Sequence, residues 1–231
     1  MKKALLLSGL VAFLAVTLAP TATADDGKKK AAGDDMVPIK IVLPKPNFGG
    51  TPLDYWGPNL EPPSFKDRPP FLAPKGTTNM ALHKKVTSSA KPILNPLSNI
   101  VDGDKEYYEK NVVELPAGDQ WVQIDLGQEA EIYAVLVWHY HAAERVYFDV
   151  AVKTADDADF TKNVQTIFNN DHDNSAGRGV GKDKEYIENY KGKLIDAGGV
   201  HGRFVRLYSK GNTSDDKNHY VEVEVFAKPV K

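Results

Sequence analysis

The feature that most constrains the fold is the division of residues 79–231 into short runs rich in β-branched and aromatic side chains. In the run 221–226, valine occupies every second position, which is the period of a half-buried strand. No amphipathic helix longer than two turns and no internal repeat is predicted. The predicted strands cover residues 85–88, 121–126, 131–139, 146–153, 164–168, 204–209 and 221–226. Seven or eight short strands in about 150 residues predict an all-β domain, a jelly-roll β-sandwich.

Composition excludes several classes of protein. The chain has 231 residues, a formal net charge of −2 and no cysteine. A near-neutral charge argues against a general nucleic-acid binder, which needs an excess of Lys and Arg. Without cysteine there is no disulfide framework and no thiolate metal site, so the core alone must stabilise the domain.

The N-terminus has the pattern of a signal peptide. Lys2 and Lys3 precede a mainly apolar run, residues 4–18, and a small-x-small motif ends at Ala24. Fifteen residues fall short of the roughly 20 that span a bilayer, so no membrane span is predicted. We expect cleavage after Ala24 and export to the periplasm, the medium or the cell surface.

Residues 25–78 read as a polar leader followed by a Pro-rich extended arm. Ten of the fifteen prolines lie between Pro38 and Pro74, and proline excludes a regular helix or a central strand. The same stretch is rich in aromatic and aliphatic side chains. We therefore expect the arm to lie on the domain or on a partner, with a solvated linker as the alternative, and the folded domain to occupy residues 79–231.

Several motifs in the predicted domain carry a family resemblance. They are residues 79–89 (NMALHKKVTSS), 99–104 (NIVDGD), 121–127 (WVQIDLG), 149–160, 203–208 (RFVRLY) and 222–226 (EVEVF). In order and spacing they resemble the coagulation factor 5/8 type C (discoidin) domains of the galactose-binding-like superfamily. The resemblance covers residues 79–227 and implies a jelly-roll sandwich that binds its ligand through loops at one end.

The resemblance also implies a calcium site. In related carbohydrate-binding modules, a structural calcium is held near the DGD turn and by the Glu of the last strand. The matching positions are Asp102, Asp104 and Glu222, whose hard oxygen ligands suit Ca²⁺. The alternative is a plain hydrogen-bonded turn.

Two histidines mark a candidate ligand site. In Trp138-His139-Tyr140-His141, strand alternation places His139 and His141 on one side. In sugar-binding relatives, this loop region supplies a His and an Arg that contact sugar hydroxyls, and the closest positions here are His141 and Arg145. The alternative is a hydrogen-bonded surface histidine.

The segment 169–183 is long, polar and rich in side-chain acceptors, and long ordered loops are uncommon without a function. Asp171, His172 and Asn174 are its candidate sugar contacts. Asp171, His172 and Asp173 are also candidate ligands, with His139 and His141, of a divalent metal. A mobile solvated loop is the simplest alternative.

Three functions follow. The leading one is an exported, non-catalytic module that binds a carbohydrate or an envelope glycan. The second is a structural or adhesion protein that binds an envelope protein through residues 36–78. The third is a metal-dependent hydrolase built on the histidine and aspartate cluster.

Overall fold

The computed structural model describes residues 35–47, 50, 52, 54–64 and 66–230. The predicted signal peptide and the start of the leader lie outside these residues. The described part contains two short 3₁₀ helices, Leu97–Val101 and Glu109–Asn111. Its strands are β1 (Met36–Pro38), β2 (Leu72–Pro74), β3 (Thr78–Asn79), β4 (Lys85–Ser88), β5 (Val113–Leu115), β6 (Gln120–Trp138), β7 (Ala151–Ala155), β8 (Gln165–Asn169), β9 (Lys193–Ser209), β10 (Asn218–Tyr220) and β11 (Glu222–Pro229). The all-β prediction is confirmed.

Two long strands, β6 and β9, organise the domain. The strand order is β3-β11-β6-β9-β7-β8 with β4 also on β6, and every pairing is antiparallel. The first half of β6 pairs with β4 and the second half of β9, whereas its second half pairs with β11 and the first half of β9. The ladder is interrupted between Asp125 and Ala130, where Gly127 adopts φ +85° and donates its N–H to Asp125. Because glycine tolerates positive φ, the two strands can bend here.

The two halves of the sheet, on either side of the bend in β6 and β9, enclose one hydrophobic core. Inward side chains of β6 come from both sides of the bend, as with Val122 and Val137, and join Val205 of β9 and Val225 of β11 in a single buried cluster. This is the two-layer jelly-roll sandwich that the sequence predicts, with the bend closing one end.

The Pro-rich arm covers the outer face of the sheet. β1 and β2 pair with each other, so that Met36 lies opposite Pro74. Ile39, Ile41 and Phe71 then pack against a second buried cluster on the outer side of the sheet. The buried members of that cluster are Val112, Ala134, Leu136, Trp138, Val221 and Phe226. The alternate side chains of β6 therefore face two different cores.

The open end of the sandwich, which we call the rim, gathers the long connections between strands. They are residues 139–150, 170–192 and 210–217. Backbone hydrogen bonds tie them to one another, from Phe148 to Gly211 and from Glu188 to Arg145. Among the described residues, no helix has the length and apolar composition needed to cross a bilayer.

Candidate functional site

The two predicted histidines are buried beneath the rim. His139 is 1% exposed, stacks on Tyr147 with ring centroids 4.3 Å apart, and its Nδ1 lies 2.6 Å from Glu188 Oε1. His141 is 0% exposed, and its Nε2–H donates to the carbonyl of Lys105 at 2.9 Å. Both lie on the same side of the chain, as alternation predicts. In this conformation neither ring can touch a surface ligand, and both brace the loops.

Arg145 is held by the rim. Its guanidinium lies 4.7 Å from the centre of the Tyr140 ring and donates to Asp215 at 3.1 Å. His219 lies beside it, accepting from Tyr147 at 3.0 Å, and burial lowers the pKa of His219. Arg145 therefore connects two rim loops and is not placed next to His141 in a shared pocket.

The segment 169–183 is an ordered loop built by its own acidic and amide side chains. Asp171 is fully buried, and its carboxylate accepts the backbone N–H groups of Ser175 and Ala176. Asn174 has φ +58° and accepts the N–H of Gly179 at 2.7 Å. These two predicted contacts shape the loop, whereas His172 faces a cavity.

That cavity, which we call the rim pocket, has a volume of about 440 Å³. Its walls are Tyr55, Asn59, Phe148, Asp149, Asn170, His172, Asp173, Ser175, Glu185 and Lys210. The half-buried ring of Phe148 supplies an apolar face. The side-chain amide nitrogen of Asn170 is buried and has no hydrogen-bond partner among the described residues, and the same holds for His172 Nε2. The pocket thus combines an aromatic face with charged and polar side chains.

A second cavity of about 510 Å³ lies between the arm and residues 187–194. Its walls include three prolines of the arm, and Arg68 donates to the carbonyls of Lys191 and Gly192 across it. Because Arg68 is used to join the two segments, this cavity is the seam along which the arm is attached. The rim pocket, lined by several loops, is the better candidate site.

The predicted histidine-containing metal site is not assembled. Among the described residues, the one group of three acidic or histidine side chains with ligand atoms within 4.8 Å of each other is Asp149, Asp171 and Asp173. It contains neither His139 nor His141. Ser175 donates to all three carboxylates, and Lys210 lies 3.5 Å from Asp149, so protein groups already hold the carboxylates of this cluster together.

The DGD turn holds a lysine beside its acidic groups. Glu222 Oε2 accepts the N–H of Gly103 at 3.1 Å, while Oε1 is buried and has no partner among the described residues. Burial raises the pKa of Glu222 to about 9. Lys105, 8% exposed, pairs with Glu224 at 2.8 Å and lies 3.5 Å from the carbonyl of Gly103.

Calcium binding at this turn stays a prediction. Asp102 and Asp104 each accept the backbone N–H group two residues further along the chain. Their ligand atoms and those of Glu222 do not form a close group among the described residues. The Lys105 ammonium is the cation that this turn already contains.

Sequence reasoning missed most of the rim pocket. Asp149 and Lys210 lie next to strand ends, where loop residues gather around a binding site, and this position is the signal that points to them. Tyr55 and Asn59 carry no such signal, because their place on the domain depends on how the arm folds back.

Comparison with known proteins agrees with the motif analysis. Residues 99–207 match the family model described as a NedA-like, galactose-binding domain of the F5/8 type C group. No curated protein sequence matches the chain.

Three solved structures illustrate the structural similarity. The fucose-binding module SpX-3 of Streptococcus pneumoniae is 19% identical, with a TM-score of 0.46, over 65% of this chain and 98% of its own. The CBM32 of AlyQ in complex with 4,5-unsaturated mannuronic acid is 18% identical, with a TM-score of 0.42, over 62% and 93%. A pectin-binding carbohydrate-binding module is 18% identical, with a TM-score of 0.45, over 63% and 91%. The resemblance stated from the motifs is confirmed by the family match: residues 99–207 match the model of an F5/8 type C-like galactose-binding domain.

Proposed function

We propose that this chain is an exported, non-catalytic carbohydrate-binding module that takes a glycan into the rim pocket. The observation that carries the proposal is the pocket itself, where loops from several strands place polar groups around a half-buried aromatic ring. In binding sites for small ligands, a few polar groups at fixed positions set the orientation of the ligand.

The chemistry of the pocket suits sugar hydroxyls. The Lys210 ammonium is a donor, and the carboxylates of Asp149 and Asp173 are acceptors. The Phe148 ring offers its face to the C–H side of a sugar ring. The match of residues 99–207 to a family described as galactose-binding supports the same class of ligand.

Export is part of the proposal and rests on the N-terminal sequence, residues 1–24, alone. The glycan would then belong to the envelope or to the surroundings of the cell. N-terminal sequencing of the purified mature protein should begin at Asp25, and an uncleaved Met1 in every cell fraction would contradict export.

A glycan array probed with the full mature chain tests the binding function. We expect binding to a restricted set of glycans, and uniform absence of binding by folded protein would contradict the proposal. Lys210→Met and Phe148→Leu should each weaken binding about tenfold, because each removes one polar or aromatic contact of the pocket. Glu129→Gln, at the closed end of the sandwich, should bind like the wild type.

One observation favours the second function, assembly with an envelope protein. The arm exposes apolar side chains to solvent, with Trp56 71% and Val42 58% exposed. A Val42→Ser, Trp56→Ser double variant should keep glycan binding and lose a protein partner in cross-linking on intact cells. An unchanged cross-linking pattern would remove this candidate.

A further inference from the structure

The rim pocket has one wall that does not belong to the galactose-binding domain. Tyr55 and Asn59 come from the Pro-rich arm, whereas the other lining residues lie on loops between the strands β6 and β11. The matched domain segment begins only at residue 99. The pocket as it stands is therefore formed jointly by two parts of the chain that are far apart in sequence.

The arm is fixed at the pocket by a short ladder to the loop 170–192. The N–H of Glu185 donates to the carbonyl of Asn59 at 3.0 Å, and the N–H of Glu61 donates to the carbonyl of Glu185 at 2.9 Å. Leu60 bridges to Glu185, and the Lys184 ammonium donates to the carbonyl of Pro58. Hydrogen bonds in both directions set the position of this arm segment against the loop.

Tyr55 reaches the pocket from this anchored segment. Its hydroxyl donates to Glu185 Oε1 at 2.9 Å, and its ring lies 5.5 Å from the Phe148 ring at an angle of 53°. Burial, followed by the hydrogen bond to Glu185, raises the pKa of Tyr55, so the hydroxyl keeps its proton and stays a donor. Two tilted, half-buried rings form a corner into which the apolar face of a sugar fits.

The polar groups of the pocket define the charge of its ligand. Three carboxylates, those of Asp149, Asp173 and Glu185, face one ammonium, that of Lys210. The backbone N–H of Ser175 lowers the pKa of Asp173, so this group carries a full negative charge at neutral pH. Carboxylates repel an acidic sugar and accept hydrogen bonds from the hydroxyls of a neutral one.

We propose that the arm is part of the glycan site and that the completed pocket selects a neutral sugar over a uronic acid. This inference rests on the proposed function, since it assigns the substrate class and one wall of the same pocket. Tyr55 is the arm residue that contacts the sugar, and Glu185 holds Tyr55 in place.

Affinity electrophoresis of the full mature chain tests both parts. The gels contain the neutral polymers galactan, galactomannan or glucomannan, or the acidic polymer polygalacturonate. We expect retardation by at least one neutral polymer and at least tenfold weaker binding to polygalacturonate. Tyr55→Ala should weaken binding to the neutral polymer about tenfold, and Tyr55→Phe, which keeps the ring, less than threefold.

The neighbouring Trp56 provides the matched control, because it belongs to the same arm segment and does not line the pocket. Trp56→Ala should bind like the wild type, and thermal unfolding of each variant verifies that it is folded.

Wild-type affinity in a folded Tyr55→Ala protein overturns the part assigned to the arm. If the Lys210→Met variant binds the neutral polymer more weakly in the same experiment, the proposed function stands without the arm. Equal or stronger binding to polygalacturonate, or binding to acidic glycans alone, overturns the neutral class, and absence of any glycan binding overturns the proposed function as well.

Discussion

At the scale of single residues, Lys105 is the side chain on which the DGD turn depends. Its ammonium pairs with Glu224, which is 7% exposed, and it also lowers the pKa of Glu222 against the raising effect of burial. A buried carboxylate that loses its counter-charge is costly, because neither water nor another cation replaces it. The turn is thus stabilised from inside the protein.

We expect Lys105→Met to lower the free energy of unfolding by about 3 kcal/mol at pH 7.5, the typical cost of breaking a buried ion pair from one side. The loss should be smaller at pH 5, because burial raises the pKa of Glu224, and the unpaired Glu224 carboxylate then takes up a proton and becomes neutral. Urea unfolding at both pH values measures this loss of stability. Lys110→Met, at an exposed lysine, is the control.

The same variant shows whether this turn accepts calcium. If Glu222 and Glu224 bind a divalent ion once the lysine is gone, calcium raises the melting temperature of Lys105→Met more than that of the wild type. An equal rise in the wild type would contradict Lys105 as the resident cation and favour the calcium site that the sequence predicts.

His141 makes stability depend on pH. Burial lowers the pKa of His141, so the folded state takes up a proton less readily than the unfolded state, whose pKa is about 6.5. Stability is therefore complete above about pH 6.5 and falls as the pH drops below it, by up to about 1.4 kcal/mol per pH unit. His141→Gln keeps a donor for the Lys105 carbonyl and should show a flatter profile in urea unfolding between pH 7.5 and 5.5. Parallel profiles would contradict this assignment.

At the scale of elements, the sequence predicts strands well where β-branched residues form a short run without glycine or proline. β4, β8 and β11 lie close to their predicted bounds. The predicted runs 121–126 and 131–139 belong to one bent strand, β6, because the ladder resumes after Gly127. The sequence does not predict the first half of β9, because Gly198, Gly199 and Gly202 interrupt its run of β-branched residues. Residues 146–150, predicted as strand, instead form the rim, where they pair with other loops.

The Pro-rich arm is the element whose packing is hardest to predict from composition. Proline content predicts its extended course, but the pairing of β1 with β2 and the burial of Phe71 depend on the outer face of a sheet formed 60 or more residues later. Long-range packing of this kind leaves no local pattern in the sequence.

We expect Phe71→Ala to lower the free energy of unfolding by about 2 kcal/mol, because it removes a partly buried ring from the second core. The next residue, Leu72, is 44% exposed, and Leu72→Ala should change stability by less than about 0.5 kcal/mol. Chemical denaturation of both variants measures the difference, and equal effects would show that Phe71 does not act through the core.

At the scale of the whole molecule, the arm and the sandwich share the second hydrophobic core. The sheet is covered on its inner face by the opposite layer and on its outer face by Ile39, Ile41 and Phe71. A sheet buried on both faces needs both covers, so we expect the arm and the sandwich to unfold in one transition.

Removal of residues 36–74 should uncover Leu136, Trp138 and Phe226. The truncated protein should melt at a lower temperature and bind more of the dye ANS, which reports exposed apolar surface. A truncated protein with the melting temperature and dye binding of the full chain would contradict a shared core.

The candidate site shows where sequence reasoning ends. The sequence predicts ligand contacts in the polar loop 169–183, and one of these residues, His172, lines the rim pocket. The chemistry of His139 and His141 suits a binding site, but both side chains continue the inward-facing positions of β6 and are buried. The arm wall of the pocket could not be foreseen, because its position is a property of the folded molecule.

The pairing of β1 with β2 has a consequence for proteolysis. A protease that cuts once in the exposed part of the arm, for example after Lys66, divides the chain into two pieces. The smaller piece keeps β1, Ile39 and Ile41, and with them its contacts to β2 and to the second core. A single nick therefore leaves the arm in place as a non-covalent complement, and the pocket keeps its wall until a second cut frees the segment between them.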